Sequence, residues 1–305
     1  MFDEIIEEQR KAKSLYLGGQ RGGGEIVSIH ISNNRVISVK GGERSFRTKQ
    51  YTNLIENLLN SKKVKDCYVN ININDVPRAG FFNFSRKIGC SGQFLLPNHR
   101  FTNDDIQINQ EKTKTVNFDE EVKLIRKRLI PFVKKKSLIF TSCLPQVNKI
   151  DYFKYAVDNP FCYGYLWVGS VHGVGQMGKQ LRDKLKERRM VGRAFIPFLR
   201  NNYYKYVLYN DGFSLSDRMR LLLCLNSVII RKKSPFEEFY TYKLKADVNF
   251  VEYENNEELK GIYDRLESNT GFCKTIINNN KEFINKTLTY DNILQYTADI
   301  INAIC

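Results

Sequence analysis

From residue 26 onward, short apolar runs of strand type alternate with amphipathic helical segments. That alternation is the strongest constraint on the fold, because it specifies an α/β chain with a parallel sheet. EIVSIHI and RVISV alternate apolar and polar residues on either side of Asn33 and Asn34, a turn that tolerates positive φ, so together they predict a hairpin. YTNLIENLLN follows as a helix with Leu54, Ile55, Leu58 and Leu59 on one face. CYVNININDVP places Val69, Ile71 and Ile73 at period two and stops at Pro77, which sets Asp75 at the carboxyl end of a strand. In open α/β sheets, ligands bind at that end. Farther on, DEEVKLIRKRLIPFV predicts a helix, KKKSLIFTSC a strand with its loop, and KIDYFKYAVDN and MGKQLRDKLKERRMV two more helices. RAFIPF, YYKYVLYN and SVIIRKK predict strands, and SDRMRLLLCLN a helix capped by Ser216 and Asp217. Two helical stretches, NNEELKGIYDRLES and NKEFINKTLTYDNILQYTADIINAI, close the chain; residues 2–13 predict a short charged helix, and five glycines between 18 and 24 mark a loop.

A length of 305 residues predicts about two domains, and 42% hydrophobic with 12% aromatic content is enough for a sizeable core, which excludes a disordered tail protein. No stretch approaches the 18 or so apolar residues of a membrane-spanning helix. Asp3, Glu4, Glu7 and Glu8 stand where a signal peptide carries positive charge, so a cytoplasmic protein is expected. Seven cysteines are odd in number, spread out and never in CxxC spacing, which predicts free thiols rather than a disulfide framework. His30, His99 and His172 are scattered too, so no structural metal is expected. The formal net charge is +15, and the segments 126–136 and 179–193 carry eleven of those charges. Such a chain attracts polyanions, nucleotide phosphates or anionic surfaces. A nucleic-acid or polyanion binder is the alternative from another class, but the basic residues are not interleaved with aromatics and no nucleic-acid motif appears.

Residues 203–245 are the most informative stretch: strand, glycine-containing turn, helix, strand, then an acidic and aromatic turn. The turn at Asn210, Asp211 and Gly212 brings backbone near a ligand, and the helix after it aims N–H groups and its positive end at the same place. Arg218, at that end, suits a diphosphate through its bidentate fork, or else pairs locally with Asp217. The residues alone leave both roles open. Asp75 likewise reads either as a general base or as a turn residue before Pro77. GYLWVGSVHGVGQMG, within 164–178, is neither a Walker A loop nor a dinucleotide fingerprint.

Tyr-Lys-Tyr, Gly212, Ser216-x-Arg218, an apolar helix, Ser-Val-Ile and Pro-x-x-Glu-Phe-Tyr in that order resemble glycosyltransferase family 90, the protein O-glucosyltransferase and capsule-associated family. The hairpin, helix and strand that end in Asn72-x-x-Asp75-x-Pro77 resemble the family's N-terminal half, and VKKKSLIFTSC its basic run, apolar strand and serine loop. The resemblance implies a glycosyltransferase-B fold, two Rossmann-like domains facing across a cleft, divided here as 1–133 on the acceptor side, 134–285 for the UDP-sugar, and a C-terminal helix, 286–305, packing back across them. It implies inverting transfer of glucose or xylose from a UDP-sugar to a hydroxyl of a glycan, glycolipid or protein, with no metal and no cofactor besides the donor. Asp75 is then the base. Gly212, Ser214, Ser216 and Arg218 bind the UDP-sugar, as do Glu237 and Glu238, with Glu238 preferred for the ribose. Thr141 and Ser142 stand where the family usually shows Arg-Gly-Ser, a departure that leaves Ser142 as the donor contact in that loop. Free-looking cysteines and the missing signal fit a viral or microbial setting, and a catalytically inactive sugar-nucleotide binder of the same fold is the nearer alternative.

Overall fold

A computed structural model of the chain describes residues 1–19, 25–42, 45–98, 101–104, 107–108, 111–112, 116–143, 147–167, 179–192, 197–211 and 214–305. The N-terminal half opens with the helix Asp3–Arg10 (α1), followed by the predicted hairpin, Ile26–Ser32 (β1) and Arg35–Lys40 (β2). Asn33 and Asn34 close it at φ 50° and 55°, the left-handed pair that a two-residue hairpin turn requires and that Asn tolerates. Helix Phe46–Leu59 (α2) begins four to five residues earlier than its apolar stripe indicates, because Ser45 caps it by accepting from the Arg47 N–H at 3.3 Å. Cys67–Asn72 (β3) pairs antiparallel with β1, and Phe81–Asn83 (β4) runs parallel to β3. After the short Arg86–Lys87 (β5), Gln93–Leu95 (β6) completes a sheet of order β2-β1-β3-β4-β6. Four short strands follow, Thr102–Asp104 (β7), Gln107–Ile108 (β8), Glu111–Lys112 (β9) and Val116–Asn117 (β10), and then the helix Phe118–Arg126 (α3), capped by Asn117.

The C-terminal half is built from Lys136–Cys143 (β11), Val147–Asp158 (α4), Cys162–Trp167 (β12), Lys179–Glu187 (α5), Val191–Gly192 (β13) and Tyr204–Tyr209 (β14). Met219–Leu222 (α6), Val228–Lys232 (β15), Phe236–Glu237 (β16) and Val251–Tyr253 (β17) follow. The helices Leu259–Ser268 (α7), Thr270–Lys286 (α8) and Tyr290–Ile304 (α9) end the chain. Its sheet has the order β13-β12-β11-β14-β15-β17, every pair parallel. Counted from its first strand, this is the doubly wound order 3-2-1-4-5-6, whose winding reverses between β11 and β14.

Two α/β halves with parallel pairing are present, as the glycosyltransferase-B type requires. Only the C-terminal one is doubly wound throughout. The N-terminal sheet is mixed, because the hairpin contributes antiparallel strands on one side of β3. Alternation along the C-terminal strands sends side chains to two cores. Tyr206, Leu208, Val228 and Ile230 pack on one side with residues of α4, α5, α7 and α8. Val207, Tyr209 and Ile229 face a second core that is continuous with the N-terminal sheet, α1, α2 and α9. The halves thus share apolar packing. They are also joined by an antiparallel strap in which Glu237 of β16 lies opposite Arg86 of β5. Helix α9 lies on the N-terminal half, where the Tyr296 hydroxyl donates to the Leu95 carbonyl at 3.0 Å and Lys65 Nζ donates to the Asn302 carbonyl at 2.7 Å. Among the described residues no helix is long and apolar enough to cross a membrane.

Candidate functional site

The carboxyl ends of β11 and β14 flank the point where the winding reverses, which is where doubly wound sheets hold ligands. Arg218 lies across that point. Its Nη1 donates to the Ser142 carbonyl at the end of β11 at 2.6 Å, and its Nε to the Ser216 Oγ at 3.3 Å. The Tyr209 hydroxyl, at the end of β14, closes the Ser216 turn by donating to the Ser216 carbonyl at 2.8 Å and accepting from its N–H at 3.0 Å. The third nitrogen of the guanidinium, Nη2, is buried and has no hydrogen-bond partner among the described residues. Leaving a buried polar group unpaired costs about 1–3 kcal/mol, and more for a charged one, so this nitrogen is suited to an anionic oxygen supplied from outside the chain.

A second group of buried ionisable residues follows β14 and β15. Asp211 follows β14, and Ser234 Oγ donates to its carboxylate. Burial pushes the Asp211 carboxyl up to about 6, with the Ser234 hydrogen bond and the charges of Arg231 and Lys149 pulling the other way. Glu238 is 2% exposed. Burial pushes its carboxyl up to about 8, Asp217 adds to the rise, and Tyr240, Arg220 and Arg231 oppose it. Its Oε1 and the Arg231 Nε are buried without a hydrogen-bond partner among the described residues. Arg231 also rests against the Phe250 ring at 5.1 Å, and Tyr253 donates to the Asn210 side-chain oxygen at 2.6 Å. A cation and buried carboxyls with unfilled hydrogen-bonding capacity beyond the carboxyl ends of β14 and β15 suit a polyhydroxylated phosphate ester.

The residues named from the sequence are only partly brought together. Arg218, Ser142 and Ser216 meet directly, although Ser142 takes part through its backbone carbonyl. Ser214 is buried, and its Oγ accepts from Ser85 Oγ at 3.1 Å, a contact between the two halves. Glu237 does not join Glu238. Neighbours in an extended strand face opposite ways, and the Glu237 carboxylate goes to the Arg86 Nε at 2.7 Å, while Arg86 Nη2 binds Glu8 at 2.7 Å. Glu237 therefore sits in the strap, paired with Arg86. Gly212 lies outside the described residues, as do residues 168–178 of the glycine-rich stretch 164–178, His172 included. The expected helix after Ser216 shrinks to the single turn of α6, with Arg218 at its N-cap and no side-chain cap. Anion binding by a helix dipole therefore has no basis in this single turn, and the Arg218 guanidinium supplies positive charge there.

Asp75 stands three residues beyond β3 in a braced loop. Asn72 Nδ2 donates to the Val76 carbonyl at 2.7 Å and to Asn83 Oδ1 at 2.9 Å, and that oxygen also accepts from the Arg78 N–H at 2.8 Å. Asn83 ends β4, and Ser85 two residues later makes the contact to Ser214. One short run, 83–85, thus connects the Asp75 loop to the Arg218 loop. Asp75 Oδ1 accepts from Arg47 Nη2 at 2.7 Å. Sequence reasoning missed Arg47, Ser85 and Arg231. Only Arg231 left a local signal, a charge interrupting the apolar run of SVIIRKK at the strand's carboxyl end.

Comparison with known proteins finds similarity over part of the chain. The C-terminal domain of LpcC, a glycosyl transferase group 1 family protein from Francisella tularensis, is similar at 12% identity over 54% of this chain and 90% of that one, with a TM-score of 0.36. HepE from Anabaena, solved in complex with UDP-glucose, is similar at 14% identity over 62% of this chain, TM-score 0.43, and TarM of S. aureus at 10% over 73%, TM-score 0.38. This chain spans about half the length of these last two, 54% and 50%. No curated protein matches it in sequence. Residues 176–304 match the family model Glycosyl transferase family 90, and over that range the chain carries the pattern of the family its motifs resemble.

Proposed function

We propose that the protein is an inverting, metal-independent glycosyltransferase that moves glucose or xylose from a UDP-sugar to a hydroxyl of a glycan, glycolipid or protein. The observation that supports this reading is Arg218, rooted at the winding reversal with a buried Nη2 that has no hydrogen-bond partner among the described residues. Arg218 receives the diphosphate and stabilises the charge that grows on it as the sugar leaves. Glu238 receives the ribose hydroxyls. Asp75 takes the proton from the acceptor hydroxyl as its oxygen bonds to the anomeric carbon and the bond to UDP breaks on the opposite side.

Release of UDP from a panel of UDP-sugars, with and without EDTA, tests the proposal. EDTA-resistant release from UDP-glucose or UDP-xylose is the expected result. Absence of release from every donor, together with no thermal stabilisation by UDP, removes it.

The raised Glu238 carboxyl gives a second prediction. Hydroxyls that donate to the carboxylate favour its ionised form, so UDP binding expels a proton and affinity is expected to rise as pH climbs through about 8. Without ligand the sign is reversed. A carboxyl raised from 4.5 to about 8 contributes stability that is full below 4.5 and lost as pH rises through about 8. Glu238→Gln, which cannot titrate, should flatten both dependences when UDP affinity and melting temperature are followed against pH. Unchanged slopes in the variant would place the titration elsewhere.

A further inference from the structure

We propose that Arg47 positions Asp75 for proton abstraction, its guanidinium holding one carboxylate oxygen and leaving the other to the acceptor hydroxyl. This rests on the reading of Asp75 as the base. Arg47 lies in the first turn of α2, far from β3 in sequence, yet its fork spans the end of that strand. Nη1 donates to the Ile73 carbonyl at 2.6 Å and Nη2 to Asp75 Oδ1 at 2.7 Å. Asp75 Oδ2 has no partner among the described residues.

The seat of Arg47 is sterically exact in one place. Gly42 has φ +58°, and a Cβ there would lie 2.6 Å from Thr48 Oγ1, 2.7 Å from Val27 Cγ2 and 3.0 Å from Ile73 Cδ1. The Thr48 hydroxyl meanwhile donates to the Gly42 carbonyl at 2.6 Å. Glycine thus lets the start of α2 press onto the end of β3, which brings the guanidinium within reach of both acceptors. From the other side the Asn72 and Asn83 bonds restrain the loop that carries Asp75. Two independent elements converge on one carboxylate.

Magnitudes separate this role from a structural one. The side chains of Arg47 and Asp75 are 24% and 42% exposed. Ion pairs so accessible to water contribute little to stability, whereas misplacing a catalytic group by about 1 Å costs about a hundredfold in rate. A positioning residue therefore affects turnover far more than folding. Lysine keeps the charge but lacks the planar fork that reaches carbonyl and carboxylate together.

In the reaction, the acceptor O–H proton passes to Asp75 Oδ2 while the new C–O bond forms and UDP departs with the bonding pair of the old one. Arg47 keeps its proton throughout.

The test is steady-state hydrolysis of UDP-glucose, water serving as acceptor, by wild type, Arg47→Lys, Arg47→Met and Asp75→Asn, with melting temperatures measured in parallel. Arg47→Met is expected to lower kcat about a hundredfold, with KM for UDP-glucose within about threefold of wild type. Arg47→Lys should fall between them, and millimolar guanidinium should restore part of the Arg47→Met loss. Arg47→Met turning over within about threefold of wild type, while Asp75→Asn is inactive, overturns the positioning role and leaves the base in place. A loss accompanied by a matching rise in KM and no rescue also overturns it. An active Asp75→Asn removes the base and this inference with it, and a wild type that releases UDP from neither UDP-glucose nor UDP-xylose and gains no thermal stability from UDP overturns the functional reading itself.

Discussion

Asp75→Asn is expected to lower UDP release from the sugar donor by at least about a hundredfold while the protein folds and binds UDP as before. General-base catalysis contributes about 10²–10⁴-fold, and an amide cannot accept the proton. The replacement is otherwise gentle. The Asn side-chain oxygen still accepts from Arg47 Nη2, now 2.7 Å from Asp75 Oδ1, and the loop is held by Asn72 and Asn83 rather than by the carboxylate itself. Arg218 and Glu238, which carry the nucleotide in this reading, lie in the other half of the chain. Single-turnover UDP release, UDP affinity and melting temperature measured together separate the outcomes. Near-wild-type turnover would remove Asp75 as the base, and loss of UDP affinity in step with turnover would mean that the loop shapes the donor site instead.

The parts of this site that could be read in the sequence are those that sit at the ends of well-patterned strands. The hairpin, β3, β11, β14 and β15 have period-two or continuous apolar runs bounded by turn residues, so their carboxyl ends, and with them Asp75, Ser142 and the Arg218 turn, could be located. Strand β12 escaped because Gly164 and the tyrosines interrupt CYGYLW, where Gly164 is needed for the close approach of Phe153. Strands β4, β6 and β17, three residues each, are too short to show a period. The helix expected after Ser216 is overridden by packing. Met219 and Leu221 to Leu225 are all buried in the core shared by both halves. With no solvent-facing side to favour a long amphipathic helix, the segment tightens into turns in which Cys224 N–H donates to the Leu221 carbonyl and Leu225 N–H to the Leu222 carbonyl.

What remained hidden was pairing over distance. Arg47 reaches Asp75 across 28 residues, and Ser85 reaches Ser214 across 129. Neither contact leaves a periodic trace. The two adjacent glutamates show the same limit at its smallest scale, since composition treats Glu237 and Glu238 alike. Only the three-dimensional path of the chain decides that one binds Arg86 and the other is buried with its carboxyl raised.

Arg220→Met is expected to destabilise the protein by about 3–5 kcal/mol, the usual cost of leaving one member of a buried ion pair without the other. Arg220 is paired with Glu121 of α3, both side chains 2% exposed, and its guanidinium lies 5.4 Å and 5.6 Å from the rings of Phe101 and Phe118. The pair ties α3 to the segment that carries Arg218. Removing the arginine takes its counter-charge from the buried Glu121 carboxylate, whereas Glu121→Leu combined with Arg220→Met removes both charges and should recover most of the loss. Denaturant titrations of the two single variants and the double variant read the coupling directly. A single variant costing less than about 1 kcal/mol would mean that water reaches the pair. The donor site responds as well, because the Arg220 charge opposes the rise of the Glu238 carboxyl. Without that charge the carboxyl holds its proton to higher pH. In Arg220→Met the increase in UDP affinity should therefore begin at higher pH than in wild type, a shift that loss of stability alone does not produce.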